Sequence, residues 1–274
     1  MKYLVLGSAG QIGAPLCEYL RSKGHTVTEY DIASNEYHDL RVARPRSMYL
    51  DCLMSEADFV FFLAFDVGGS TYLKKYEKTK AFIDNNILIM KNTFDLLAMY
   101  RVPFMFASSQ MSDMSYSAYG VLKRLGEFYT SVLGGITVKF WNVYGPEHDP
   151  EKTHVITDFI SMAKDGDITM LTDGSEMRQF LYVEDCCECL HTLSSKLSDL
   201  DLDAEYHITN FSWDSIEDVA KIIAKSFGCS YNKGESSDEV QKDKRNEPDP
   251  HILEYWKPTT DLETGIHKII EEMT

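Results

Sequence analysis

Tyr119 and Lys123 stand four residues apart in Ser117-Ala118-Tyr119-Gly120-Val121-Leu122-Lys123, and Ser109 lies just upstream. On a helix that spacing puts both side chains on one face, so the Lys123 ammonium is expected to sit beside the Tyr119 phenol and favour its phenolate. A phenol whose ordinary pKa is about 10 could then exchange a proton with a substrate hydroxyl near neutrality. Ser109 is placed to position that hydroxyl. Two elements must hold the three groups together: a strand over residues 102–107, entered by Pro103, and a helix over 118–132.

A second constellation lies at the start of the chain. Tyr3-Leu4-Val5-Leu6 reads as a short strand, Gly7-Ser8-Ala9-Gly10-Gln11-Ile12-Gly13 as a turn, and Leu16, Tyr19 and Leu20 as one face of a helix. Glycines let such a turn close tightly and approach a pyrophosphate, whose charge rests on the helix N-terminus. The first two glycines are one residue further apart than in the common dinucleotide fingerprint. A second strand, Thr26-Val27-Thr28-Glu29-Tyr30, ends in Asp31, where a carboxylate suits ribose hydroxyls and repels a 2'-phosphate. No Arg or Lys follows until Arg41, which favours NAD over NADP.

Composition narrows the class. The chain has 274 residues, a formal charge of -16 and a pI near 4.9. A negative field argues against nucleic acid and anionic membranes as partners, so an anionic substrate needs a local positive site. No apolar stretch reaches membrane-spanning length and the N-terminal run is too short for a signal peptide, so a cytoplasmic location is expected. The six cysteines include one cluster, Cys186-Cys187-Glu188-Cys189, without zinc spacing; buried free thiols and no metal are expected. Strand and helix patterns alternate through residue 140, which implies a parallel sheet covered on both faces. Residues 234–250 form a polar loop that either closes over a substrate or is simply solvated.

These motifs resemble the extended short-chain dehydrogenase/reductase family, and within it the NAD-dependent epimerase/dehydratase branch that acts on nucleotide sugars. The resemblance covers nearly the whole chain. It implies an α/β fold, a Rossmann-type doubly wound parallel sheet with a smaller C-terminal α/β substrate-binding lobe. Residues 1–140 would bind NAD, with 175–190 returning to that domain, and 141–274 would mainly bind substrate. It assigns the cofactor to Gly7, Gly10, Gln11, Ile12, Gly13 and Asp31, to Asp39 and Leu40 at the adenine, and to Leu63 and Ala64 on the strand beneath it. Asn86 matches a central-helix asparagine of the family, and Tyr119 and Lys123 touch the cofactor as well as performing catalysis with Ser109.

The resemblance also implies a nucleotide-diphosphate sugar as partner. Asn142, in Asn142-Val143-Tyr144-Gly145-Pro146, would contact the diphosphate. Arg178, in Arg178-Gln179-Phe180-Leu181-Tyr182-Val183-Glu184-Asp185, and Arg245, ahead of Trp256-Lys257-Pro258, would clamp it with forked donors. Helices over 81–99 and 118–132 would pair across a homodimer, the alternative being that they merely cover the sheet.

Departures from the family pattern narrow the chemistry. Gln110-Met111 replace the Asp-Glu pair of the dehydratases, so a 4,6-dehydratase is not expected. His154 resembles a histidine of the epimerising fucose-synthase type, yet residues 107–118 contain no cysteine, and His154 is read as a substrate contact or a plain surface residue. Nine residues separate Ser109 from Tyr119, fewer than in relatives. Asp66 is either an extra acid near the sugar or a turn cap ahead of Gly68-Gly69. The expected activity is oxidation of a sugar hydroxyl, at carbon 4, to a keto intermediate that is epimerised or released. A keto-sugar reductase or an amino-alcohol dehydrogenase is the alternative, and a nonenzymatic NAD-sensing regulator is the alternative of another class.

Overall fold

The computed structural model describes residues 1–42, 48–147, 149–238 and 246–274. In its first half the elements run β1 (Lys2–Leu6), α1 (Gly13–Ser22), β2 (Thr26–Tyr30), α2 (Met48–Glu56), β3 (Phe59–Phe62), α3 (Ser70–Tyr76), α4 (Lys80–Tyr100), β4 (Phe104–Ser109), α5 (Ala118–Leu133) and β5 (Ile136–Phe140). Then follow β6 (Asn142–Tyr144), α6 (Val155–Asp165), β7 (Ile168–Thr169), β8 (Met177–Arg178), β9 (Phe180–Tyr182) and α7 (Val183–Ser195). The chain continues through β10 (Glu205–Ile208), β11 (Asp214–Ser215), α8 (Ile216–Phe227), β12 (Tyr231–Asn232) and α9 (Leu262–Met273).

Six strands form one sheet in the order β10-β5-β4-β3-β1-β2, parallel throughout. Both faces are buried, which is why β1, β3 and β4 read as unbroken apolar runs. Tyr3, Val5, Phe59 and Phe61 face a core shared with α1 and α7, while Leu4, Leu6, Val60 and Phe62 face a core shared with α2 and α4. Helix α7 packs on α1, and the sheet takes a further edge strand, β10, from later in the chain. Three small two-stranded pairings, β6 with β9, β7 with β12 and β8 with β11, build the second half with α6, α8 and α9.

Chain direction across the sheet reverses between β1 and β3, so the loops that leave their carboxyl ends diverge and open a crevice there. The two long helices of the first half lie where the apolar spacing places them. Thr79 caps α4 by accepting the Phe82 N–H at 3.2 Å, and Ser117 caps α5 by accepting the Gly120 N–H at 3.1 Å. Gly134, in the left-handed conformation, ends α5. Among the described residues no helix is long and apolar enough to cross a membrane. Cys186, Cys187 and Cys189 are buried free thiols, whereas Cys52 is exposed.

Candidate active site

Ser109 is the last residue of β4, and its hydroxyl accepts the Met111 N–H at 3.2 Å, capping a 3-10 turn over Gln110–Asp113. That turn packs on the start of α5 so closely that a Cβ on Gly120 would sit 2.1 Å from the Met111 carbonyl oxygen. Tyr119, in the first turn of α5, is thereby brought near enough to Ser109 for that hydroxyl to favour its phenolate. A residue that sequence reasoning missed completes the support: Glu77, buried at the end of α3, accepts the Ser117 hydroxyl at 2.7 Å and the Tyr119 N–H at 3.4 Å.

Lys123 lies one turn further along α5 and is buried with Tyr119. Its Nζ donates to the Ala107 carbonyl at 2.6 Å and sits 3.7 Å from the centre of the Phe65 ring, but 5.7 Å from the centre of the Tyr119 ring. The expected downward pull on the phenol is therefore not what the protein shows. Burial pushes the Tyr119 phenol up to about 12, with Ser109 opposing, and burial draws the Lys123 ammonium down to about 7, with Glu127 opposing. Helical spacing predicts which side chains share a face; it does not predict that both would be taken out of water.

The glycine turn crosses tightly under β3. Gly7 has φ +89°, and a Cβ there would lie 2.6 Å from the Ala64 nitrogen; a Cβ on Gly13 would lie 2.0 Å from the Gly7 oxygen. Gly10 is looser, its nearest such contact being 3.4 Å. Helix α1 begins at Gly13 with no side-chain cap, so its first-turn N–H groups depend on partners from outside the helix. Asp31 accepts the Ala9 N–H at 3.0 Å and the Ala33 N–H at 2.8 Å, which fixes its carboxylate beside the turn. Gln11 ties the turn to the second half by donating to the Val143 carbonyl at 3.2 Å.

Asp39 is gripped by the Arg41 fork at 2.8 and 2.9 Å, and those hydrogen bonds hold its carboxyl below the usual range against the effect of burial. Arg41, read only as the first cation after Asp31, is thus neutralised and lines the same cavity. Leu40, Leu63 and Ala64 also line it. Asn86 does not: fully buried, it takes the Asp66 N–H at 2.7 Å and donates to the Asp66 carbonyl at 3.1 Å, so it clamps the 65–70 loop from behind.

On the opposite wall stand Asn142, His154 and Arg178. Glu147, unforeseen from sequence, accepts the His154 N–H at 2.8 Å and pairs with its Nδ1 at 2.6 Å. Burial pushes the Glu147 carboxyl up, but the His154 hydrogen bonds and charge outweigh it and hold it low. Arg178 pairs with Asp238. Asp66 accepts the Tyr72 hydroxyl at 2.6 Å and the Asn85 amide at 3.0 Å, with Lys152 Nζ at 3.8 Å. Gly69, just beyond it, packs so close to the 149–154 segment that a Cβ would sit 2.1 Å from the Thr153 oxygen. Arg245 lies outside the described residues. Its neighbour Asn246 donates to the Gln110 carbonyl at 2.7 Å, and Ser236, Ser237 and Asp238 line the cavity, so the described parts of the polar loop stand over the catalytic segment.

The cavity that unites these walls measures about 1110 Å³. Pockets for one small molecule span roughly 300–1,000 Å³, so this one has room for more than one ligand. The glycine turn, Asp31, Ser109, Tyr119, Lys123 and the second-half cations Lys152 and Arg178 all line it. Such a site can hold a dinucleotide against a hydroxyl-bearing anion and exchange a proton between that hydroxyl and Tyr119.

Comparison with known proteins identifies the family and the fold. The model of the NAD dependent epimerase/dehydratase family matches residues 3–208. The UDP-N-acetyl-alpha-D-glucosaminuronate decarboxylase of Bacillus cytotoxicus is 29% identical over 224 residues, covering 68% of this chain and 68% of its own length. The UDP-glucose 4-epimerase of Thermotoga maritima, solved with UDP-glucose, has a TM-score of 0.80 at 19% identity, covering 100% of this chain and 98% of that one. The UDP-glucuronic acid 4-epimerase of Bacillus cereus, in complex with UDP-glucuronic acid and NAD, has a TM-score of 0.79 at 22% identity, covering 100% of each chain. At these identities the two structural likenesses establish the fold.

Proposed function

The chain belongs to the NAD-dependent epimerase/dehydratase family of enzymes, and from that premise we propose that it oxidises a hydroxyl, at carbon 4, of a nucleotide-diphosphate sugar. NAD, bound across the glycine turn, supplies the hydride acceptor and a positive ring. With the ring charge and Lys123 favouring its phenolate against the effect of burial, Tyr119 takes the hydroxyl proton, Ser109 beside it orients that hydroxyl, and Lys123 also holds the cofactor side of the site. Asn142, His154, Arg178 and Arg245 are assigned to the substrate, the arginines to its diphosphate. The keto sugar that results is reduced again on its other face by an epimerase, or leaves from a dehydrogenase.

The observation that carries this reading is that Ser109, Tyr119 and Lys123 line the same cavity as the glycine turn. The cradle fits a dinucleotide: the helix start is uncapped and Asp31 is already fixed beside it. Residues 1–140, with the 175–190 return, are assigned to NAD, and 141–274 mainly to the sugar nucleotide. The test is an absorbance and mass scan with NAD against UDP-, GDP-, dTDP- and CDP-sugars. A product two hydrogens lighter, with NADH accumulating, indicates a dehydrogenase; an isomer without net NADH indicates an epimerase; loss of carbon dioxide from a uronate indicates a decarboxylase. No turnover with any member would sink the reading.

We further propose a homodimer built on α4 and α5. Ile87, Leu88, Val121, Leu125, Phe128 and Val132 are exposed apolar residues of these helices, Val132 to 83%. A patch of that kind on two adjoining helices suits an isologous contact with a second copy. Sedimentation of a Phe128→Glu variant as a monomer would support it, and a wild-type monomer at micromolar concentration would refute it. The buried free thiols suit a reducing compartment, which favours the cytoplasm.

A further inference from the structure

Arg178 sits on β8 with its side chain largely buried in the cavity wall. Its Nη1 donates to the Met177 carbonyl at 2.8 Å, and its Nη2 to Asp238 Oδ2. Asp238 is not a wandering side chain. The strand-like run before it is hung on the second half: Gly234 N–H donates to the Thr172 carbonyl at 2.8 Å and Ser236 N–H to the Leu171 carbonyl at 3.0 Å. Both members of the pair are mostly shielded, at 13% and 16% side-chain exposure. A guanidinium so shielded needs an anionic partner at all times, because an uncompensated buried charge is costly.

We propose that Asp238 is an affinity-determining residue of the phosphate site, an internal competitor that holds the Arg178 fork until a diphosphate displaces it. This rests on the assignment of Arg178 to a diphosphate made above. Carboxylate and phosphate both offer an anionic oxygen to a guanidinium N–H, so a phosphate oxygen can take the place of Asp238 Oδ2 at Nη2 while Nη1 keeps the Met177 carbonyl. The exchange keeps Arg178 paired in every state, and it weakens nucleotide binding by the strength of the contact that must be given up. Product release is faster for the same reason, since Asp238 returns to the fork as the diphosphate leaves. Ser236 and Ser237 line the cavity beside it.

The test is calorimetric binding of UDP, uridine and inorganic pyrophosphate to the full chain and to Asp238→Asn, Asp238→Ser and Arg178→Gln variants, each checked for native near-ultraviolet circular dichroism. Asp238→Asn and Asp238→Ser should tighten UDP and pyrophosphate by about five- to tenfold, the scale of one charge-assisted contact, and leave uridine unchanged. In an Arg178→Gln background the Asp238→Asn gain should vanish. Unchanged or weaker UDP binding in both Asp238 variants overturns the proposal, as does an equal gain without Arg178. Pyrophosphate binding that depends on Asp238, without preference for UDP, would reject the nucleotide reading and keep the competitor. Failure of both anions to bind would reject the competitor.

Discussion

Glu77 accepts the Ser117 hydroxyl at 2.7 Å while that same hydroxyl accepts the Gly120 N–H at 3.1 Å. The end of α3 is thus coupled to the cap of the catalytic helix, and Tyr119 lies within the capped turn. Replacing Glu77 by Ala leaves a buried hydroxyl and a buried N–H short of a partner. We expect a stability loss of roughly 1–3 kcal/mol in urea titration. Turnover should fall more than NAD affinity, because the displaced group is Tyr119 and not the glycine turn. Equal losses in both would show that Glu77 supports the fold generally.

Stability should respond to pH through the buried pair. Lys123 titrates at about 7 in the folded chain against an ordinary 10.5, so from pH 7 to about 10 the unfolded chain binds more protons and stability rises with pH. Tyr119, raised to about 12 from 10.0, acts the other way only above pH 10, where its contribution is lost. Chemical denaturation at pH 7 and pH 9.5 should show wild type gaining on a Lys123→Met variant by a few kcal/mol, about the linkage scale of one displaced group. A parallel pH dependence in the two proteins would contradict a depressed Lys123.

The glycine turn separates folding from binding. A Cβ at Gly13 would lie 2.0 Å from backbone oxygen, whereas at Gly10 the nearest contact is 3.4 Å. Gly13→Ala should destabilise the chain by several kcal/mol on the scale of overpacking strain. Gly10→Ala should keep the melting temperature within a few degrees but weaken NAD binding at least tenfold, because a methyl group there would meet the pyrophosphate and not the protein. Undiminished NAD affinity in Gly10→Ala would place the dinucleotide elsewhere.

The contrast between these residues shows what a sequence carries. Ser109, Tyr119 and Lys123 were legible because strand end and helix register are local properties, and the structure does bring them to one wall. Glu77 was not, since its contact with Ser117 spans 40 residues and exists only once α3 and α5 are packed. The Lys123 effect on Tyr119 was misread because burial, a tertiary property, outweighs proximity. Asn86 was matched by resemblance to a site residue, and the structure puts it behind the 65–70 loop, where its amide satisfies backbone groups and does not line the cavity. β10 escaped notice because Glu205-Tyr206-His207-Ile208 carries a glutamate, paired with Lys139 and Arg124, and a histidine, so it lacks the apolar run that marks β1 and β3.

Those neighbours lead to the last prediction. Lys139 is 1% exposed on its side chain, directly across from Ser108, with its Nζ 2.6 Å from Glu205 and 3.6 Å from Glu127. Glu127 in turn accepts the Ser108 hydroxyl and the Arg124 guanidinium, so the charges of three elements meet behind the strand that ends in Ser109. Substituting Met for Lys139 removes the ammonium that the buried Glu127 and the partly exposed Glu205 share and leaves Arg124 as their common cation; the expected cost is about 3–5 kcal/mol in urea titration. Adding Glu127→Gln should restore part of the loss at pH 7, giving a coupling between the two positions in a double-mutant cycle. If the two losses simply add, Lys139 acts through packing of its stem and the charge network is incidental.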